Sequence, residues 1–388
     1  MRAAAMSAEN LIIKRHATLN ADLQDMRANA LTMSRRRWLR RLALSLSGAR
    51  RVFAGRQTVG TAPWTAVQDF TQYPNIITPN ADFFVRNHFA QPAIDVANWA
   101  LRVEGAVERP RMFRYGDLQA MKQRMITAVL ECAGNEAGEG AVGCAVWSGP
   151  ALADLLRECG IKTSARRVRF VAADRGSEPD SARDIPYARS IEIDKATDPD
   201  TLLALKMNGA PLPLENGFPA RVVVPGFYAM DSVKWIEKLE VLEEPDNSFF
   251  TTHRYLRQTR GISADPPVRV ADVRIKSIIA KPVEAAVIRG TAIDIGGYAW
   301  AGRERIKRVE VTLDDGKSWR QAQLLNESDL NNWVAWRFLW EHPPAGVQTI
   351  AARAFGAAGA AQPSIRSGAR EDKYELNQYH QVTVTVKA

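Results

Sequence analysis

From residue 99 onward, apolar and polar positions alternate in short bursts broken by turn residues. "WALRVEGAVERPRMF", residues 99–113, reads as strand, turn, strand, because its apolar positions recur with a period of two. "YGDLQAM" predicts the start of a helix with Asp117 near its N-terminus. "ITAVLECAGN" predicts a buried strand running into a loop at Cys132. In "WSGPALADLLRECGI" the period changes: Leu152, Leu155 and Leu156 fall on one helical face and Gly160 ends the helix. "RRVRFVAAD", "FPARVVVPG" and "VKWIEKLEVLEE" return to strand patterns, the second β-branched and closed by Pro225 and Gly226. Residues 60–98, with many Pro, Asn, Phe and Trp, predict irregular chain wrapped around a core. Strands and helices mix without a regular βαβ rhythm, so this half predicts an α+β domain.

The texture changes near "SADPPVRVAD", residues 263–272. Past it come short alternating strands separated by frequent turn signals. "VEVTLDDGKSW" puts Val309, Val311 and Leu313 on one face before an Asp-Gly turn at 315–316, and the chain ends in the alternating "HQVTVTVKA". These predict an immunoglobulin-like β-sandwich without the paired cysteines of antibody domains. The expected organisation is a basic segment over 1–58, an α+β domain over 59–262 and a sandwich over 263–388.

Composition changes this picture in three places. The chain has 388 residues, room for two cores, with ordinary apolar (46%) and charged (24%) contents. Its net charge of +9 is concentrated partly in the arginines of residues 35–56. No finger spacing, RNA-binding motif or base-reading helix accompanies them, so a nucleic-acid partner is not expected, and an anion-attracting cleft is. No apolar run approaches the roughly 18 residues of a membrane span. Ser34, Arg35, Arg36, Arg37, Trp38, Leu39 and Arg40 resemble the bacterial twin-arginine export signal, followed by a short apolar stretch, Leu42–Ala49. Export to the periplasm is the expectation; a basic amphipathic surface helix is its rival. Cys132, Cys144 and Cys159 form neither CxxC nor CxxCH, which argues against zinc, thioredoxin-type and c-type haem sites. Cys144 and Cys159 read as small buried side chains, with a disulfide left open.

"FFVRNHF", "ECAGN", "WSGPALADLL", "MNGAPLPLENGFPARVVVPG", "SVKWI", "GYAWAG" and "VEVTLDDGKSW" stand in the order they take in the sulfite oxidase family of molybdenum enzymes. The resemblance covers about residues 60–388. It implies a molybdopterin-binding α+β domain followed by an immunoglobulin-like domain that many members use to dimerise. By resemblance, Cys132 is the single protein ligand of molybdenum; a thiolate is a soft ligand, suited to that role. A strand end holds it rigidly, and the glycine turn lets backbone pass close to the pterin. Read alone, Cys132 would be one more inert buried cysteine. By resemblance, Arg86 points at an oxyanion substrate, His88 and Asn87 meet the cofactor, and Arg221, Ser232 and Lys234 hold the pterin's phosphate. A guanidinium suits bidentate recognition of an oxyanion. Tyr255, in "HRYLRQ", resembles the active-site tyrosine.

The implied activity is oxygen-atom transfer to a small anionic sulfur substrate such as sulfite. The chain carries no haem or flavin motif, so the electrons are expected to pass to an external acceptor, a cytochrome c if the protein is exported. A sulfane dehydrogenase or an oxide reductase of the same fold is the near alternative, and a non-catalytic binding protein the distant one. The chain departs from the family in three places. The loop after "CAGN" is longer in many relatives and carries a further arginine and a tryptophan near the cofactor, whereas here Glu136 follows Asn135 and the chain reaches Trp147 quickly. Asn216 sits where many members have a cofactor-contacting histidine, and Gln381 stands for an arginine that helps form the sulfite pocket. A less cationic pocket holds a doubly charged oxyanion less well.

Overall fold

The computed structural model describes residues 65–181, 184–261 and 268–387. The twin-arginine-like segment and the expected junction at 262/263 lie outside the described residues. The longer strands are numbered along the chain. β1 (Ala100–Gly105) and β2 (Arg111–Arg114) form the strand, turn and strand that alternation predicts. α1 (Tyr115–Ala120) starts where the Arg114 N–H donates to the Asp117 carboxylate at 2.8 Å. β3 (Gln123–Glu131) and β4 (Val142–Pro150) pair antiparallel, from Gln123 opposite Pro150 to Glu131 opposite Val142. That register makes residues 132–141 the hairpin loop and puts Cys132 directly at a strand end. α2 (Leu152–Cys159) buries Leu152, Leu155, Leu156 and Cys159 and stops at Gly160, whose φ of 69° is left-handed.

β5 (Arg167–Gly176), β6 (Ile185–Glu192) and β7 (Ile236–Leu242) complete a five-stranded sheet of order β2-β1-β7-β5-β6, with β1 and β7 parallel. The strand expected in "FPARVVVPG" is shorter than its β-branched run suggests: Arg221–Val223 alone pairs, with Leu202–Ala204. Val224 donates its N–H to Ser232 Oγ at 3.0 Å instead, which ends the ladder.

The C-terminal half forms the expected sandwich from β8 (Lys276–Lys281), β9 (Ala292–Trp300), β10 (Ile306–Thr312), β11 (Val334–Glu341), β12 (Gly346–Gly356) and β13 (His380–Lys387). One sheet runs β8-β9-β11, extended by Gln323–Leu324. The other runs β13-β12-β10, flanked by Val287–Arg289 and Arg320–Gln321. Val309 and Val311 are buried, and Asp315 and Gly316 both take the positive φ that their turn requires.

The two halves do not merely touch. Val270, Ile278, Tyr298, Trp300 and Trp333 of the sandwich share one buried cluster with Leu155, Phe170 and Tyr228 of the first domain. Val129 N–H donates to Asn331 O and Trp333 Nε1 to Ile76 O, each at 2.8 Å. Cys144 and Cys159 are buried and all three cysteines are free thiols, which closes the disulfide alternative. Among the described residues no helix is long and apolar enough to cross a membrane.

His380, at the start of β13, ties the loop after Cys132 to the sandwich. Its Nδ1 accepts the Ile279 N–H at 2.8 Å, and its ring lies so close to Gly138 (φ 86°) that a Cβ there would come within 2.4 Å of Nε2. Burial, then the nearby Lys276, lowers its pKa from 6.5 to about 4. The unfolded chain therefore takes up a proton that the folded protein refuses. The histidine costs nothing above about pH 6.5, and stability falls as pH drops from there towards about 4. Asp174, raised to about 6 by burial, acts with the opposite sign in the same window. The difference in unfolding free energy between wild type and His380→Gln isolates the histidine. It should be flat above neutrality and move in favour of the variant on acidification, as read by urea titrations at stepped pH.

Candidate active site

The nine residues to which the resemblance assigns a site role all line one cavity. Cys132 enters it from the β3–β4 loop. Its N–H donates to Ala141 O at 2.9 Å, and the Asn135 N–H returns to Cys132 O at 2.9 Å, so the turn is fixed at both ends. Burial is the main influence on the thiol and raises its pKa; the Gly134 N–H and the Arg86 charge oppose this. The thiolate needs a cation beside it to persist.

Arg86 is held by a short strand pairing, Val85–Arg86 with Thr65–Ala66, and is exposed at the cavity wall. His88 is sandwiched between aromatic rings: Tyr187 stacks on it at 4.6 Å and Phe250 meets it edge-on at 4.8 Å. Its Nε2 lies 2.6 Å from the Tyr255 hydroxyl. Burial, then Arg86, Lys234 and Arg189, holds its pKa well below the usual range, so the imidazole is neutral. Burial likewise keeps the Tyr255 phenol protonated. Tyr255 takes a left-handed φ of 55°, where a bulky residue is strained. The Arg189 guanidinium lies 5.2 Å from its ring centre and Tyr374 packs on it at 5.0 Å.

The inner wall is cationic. Arg221 donates Nη1 to Asn216 O at 3.0 Å and Nη2 to Ser232 O at 2.8 Å, with its guanidinium 5.0 Å from the Trp147 ring centre. Lys234 Nζ donates to Glu215 O at 3.0 Å and to Asn87 Oδ1, and lies 4.3 Å from the Trp235 ring centre. Burial lowers Arg221 to about 9. Burial and then repulsion from Arg221 push Lys234 well below its normal pKa. Neither cation is in an ion pair among the described residues. Asn87 Nδ2, Asn216 Oδ1 and Arg221 Nε are buried and unpartnered, all on residues lining this cavity. Unpaired buried polar atoms are costly, and desolvated cations more so. An anionic ligand with hydrogen-bonding edges would relieve both, and the thiol adds a soft metal donor. The residues therefore fit a metal on a phosphorylated organic cofactor.

Among the lining residues that received no role from the sequence, three carry polar groups. Asp174 ends the "RFVAAD" pattern, Tyr187 lies in "IPYARS", and Trp235 follows Lys234. Alternation along β5 gave a signal that Asp174 faces inward; its chemistry had none. One expectation needs correction. Gln381 does not line the cavity: it lies on β13 between His380 and the buried Val382, and strand alternation turns it to solvent.

Comparison with known proteins agrees with this chemistry. Residues 88–250 match the family described as oxidoreductase molybdopterin binding domain, and residues 268–387 the Mo-co oxidoreductase dimerisation domain. Sulfite oxidase of Arabidopsis thaliana is 34% identical over 284 residues, 65% of this chain and 71% of that protein. Mitochondrial sulfite oxidase of Homo sapiens is 33% identical over 296 residues, 69% of this chain and 53% of that protein, so the chain spans about half the length of the human relative. The crystal structure of the sulfane dehydrogenase SoxCD from Paracoccus pantotrophus superposes with a TM-score of 0.74 at 25% identity, covering 89% of this chain and 92% of that one. The chain belongs to the sulfite oxidase family and is a molybdopterin-dependent oxidoreductase whose cofactor is molybdenum-molybdopterin.

Proposed function

We propose that this enzyme oxidises a small sulfur oxyanion such as sulfite and passes the electrons to a separate acceptor, a cytochrome c. The observation that carries this reading is the exposed Arg86 guanidinium on a wall shared with Cys132 and Tyr255. In it, Cys132 is the protein's thiolate ligand to the metal. Lys234, Arg221 and Ser232 hold the cofactor's phosphate, and Asn87, Asn216, His88 and Asp174 meet its polar edges. When bound, the molybdenum cofactor supplies two-electron oxygen-atom transfer; the protein orients and charges the site. Arg86 binds the anion and sets its approach. Tyr255, fixed by His88, presents a protonated hydroxyl rather than a charge. Phe83, Phe84, Tyr187 and Trp235 line the cavity and exclude water, which strengthens each charge interaction inside.

A second reading, sulfane oxidation, draws support from the near-complete overlap with the sulfane dehydrogenase. A turnover screen with sulfite, thiosulfate and sulfoxides, using artificial electron carriers, separates the two. Sulfite should be fastest; preferred thiosulfate would favour sulfane chemistry, and turnover of none would overturn both. The Ser34–Arg40 segment supports export to the periplasm, and the match to a dimerisation domain supports a homodimer. Cell fractionation and light scattering test these two readings.

Cys132→Ser should abolish turnover with the fold intact, because a hydroxyl is a harder and far less acidic donor than a thiol. Arg86→Gln should raise KM for the anion at unchanged molybdenum content. A hydrogen bond to a charged group contributes roughly 1.5–3 kcal/mol, so kcat/KM should fall by about one to two orders of magnitude. A neutral sulfoxide should be affected much less. In cofactor-free protein, inorganic phosphate should raise the unfolding temperature, by about 2.7 kcal/mol of stabilisation at a hundredfold excess over Kd. Lys234→Met should remove that response, which a phosphate series in differential scanning calorimetry measures.

A further inference from the structure

Glu131 and Asn135, the residues at the two ends of the Cys132 turn, are tied to the second domain. Lys276 on β8 donates from Nζ to the Glu131 carboxylate and to Asn135 O, the latter at 2.7 Å. Trp300 on β9 donates Nε1 to the other Glu131 oxygen at 2.8 Å. Asn135 Nδ2 donates to Glu131 Oε1 at 3.1 Å, and Asn135 Oδ1 accepts the Ala141 N–H at 2.9 Å. Both side chains of the Lys276–Glu131 pair are 0% exposed. From the same domain, the Glu375 N–H donates to Ala133 O at 2.9 Å.

A buried ion pair is poor evidence of stability, since apolar residues of similar volume often do as well. Its distinctive property is direction. The ammonium has donors for several acceptors at once, and here it spans the first and last residues of one turn. An apolar replacement would fill the same space and leave the turn free to tilt.

We infer that Lys276 is a positioning residue for the Cys132 thiolate, acting with Trp300 through Glu131 and Asn135, so that the sandwich domain completes the metal-ligating loop. This rests on Cys132 being the metal ligand. Arg86 stands on a separate strand pair, so a disturbed cage should change the metal's surroundings and the rate of chemistry more than it changes substrate binding.

The test uses the molybdenum-loaded enzyme in four forms: wild type, Trp300→Phe, the double variant Lys276→Met with Glu131→Gln, and Cys132→Ser. The double variant removes both charges together, so no buried charge is left alone. Trp300→Phe removes the N–H together with part of the buried ring's volume, and covers the case where the double variant does not fold. For each, metal content, the Mo(V) paramagnetic resonance spectrum, and kcat and KM for sulfite are measured. We expect Trp300→Phe and the double variant to keep their metal, to show a shifted Mo(V) spectrum, and to lose about 10- to 100-fold in kcat, with KM little changed. A wild-type spectrum and kcat in Trp300→Phe, or in a folded double variant, would overturn the inference. Cys132→Ser separates the two levels. If it keeps the wild-type spectrum and rate, the ligand assignment itself falls. If it loses both while the cage variants do not, the assignment stands and the cage is structural.

Discussion

The cavity is organised by a single constraint: two cations, Arg221 and Lys234, are kept largely out of water without a carboxylate salt-bridged to either. Desolvation of an unpaired charge is expensive. The fold offsets it with neutral groups. Carbonyls of Glu215, Asn216 and Ser232 accept from the two side chains, and the indoles of Trp147 and Trp235 offer their faces. Placing those carbonyls requires the tight turn at Gly217, where φ is 114° and a Cβ would stand 3.0 Å from Arg221 Cβ and 3.1 Å from Lys234 Cβ. Carbonyl dipoles and ring faces stabilise a cation only in part. The remaining positive potential is available to a phosphate, which a carboxylate in the same place would have cancelled.

The site is also composite in a way that domain labels hide. The Cys132 turn belongs to the α+β domain, yet Lys276, Trp300, Glu375 and His380 reach it from the sandwich. The shared apolar core explains why these contacts can be held: Trp300 is both a member of that core and a hydrogen-bond donor to Glu131. A purely apolar junction specifies area, and two apolar surfaces can slide. The polar contacts set into this junction specify register.

Sequence reasoning reached what is local. The β3 strand ending at Cys132, α2 and the sandwich strands were legible because period-two and helical patterns are written in consecutive residues; β4, whose residues 147–150 were read together with α2, was not. Cys132, Arg86, His88 and Lys234 were legible because they stand in short motifs, Arg86 and His88 in the same one. Two kinds of feature were not. The Lys276–Glu131 pair joins residues 145 positions apart, and nothing in either neighbourhood announces the partner. The short Arg221–Val223 strand was over-read, since β-branched residues state a preference while Ser232, eleven positions from Arg221, takes the bond that would have prolonged the ladder. Gln381 failed for a related reason. Motif position suggested a pocket residue, and strand alternation, which depends on how β13 is registered on β12, turned it outward.

Charge at the mouth then bears on which substrates the pocket favours. On the proposed reading Arg221 and Lys234 serve the inner wall, where Asp174 is the one lining carboxylate, and Arg86 serves the substrate. Neighbouring arginines are already held by carboxylates. Arg254 is bonded to Glu178 and Asp180, and Arg257, Arg274 and Arg370 share Glu375. One guanidinium compensates one negative charge well and a second poorly, because the second must be stabilised by neutral donors alone. Sulfite near neutral pH exists partly as its singly protonated anion, and that form suits a single guanidinium. A substrate that keeps its charge on a distant sulfonate, with a neutral sulfur facing Cys132 and Tyr255, meets the same condition. On the proposed reading, this favours a substrate that sets a single negative charge against Arg86, whichever sulfur compound carries it.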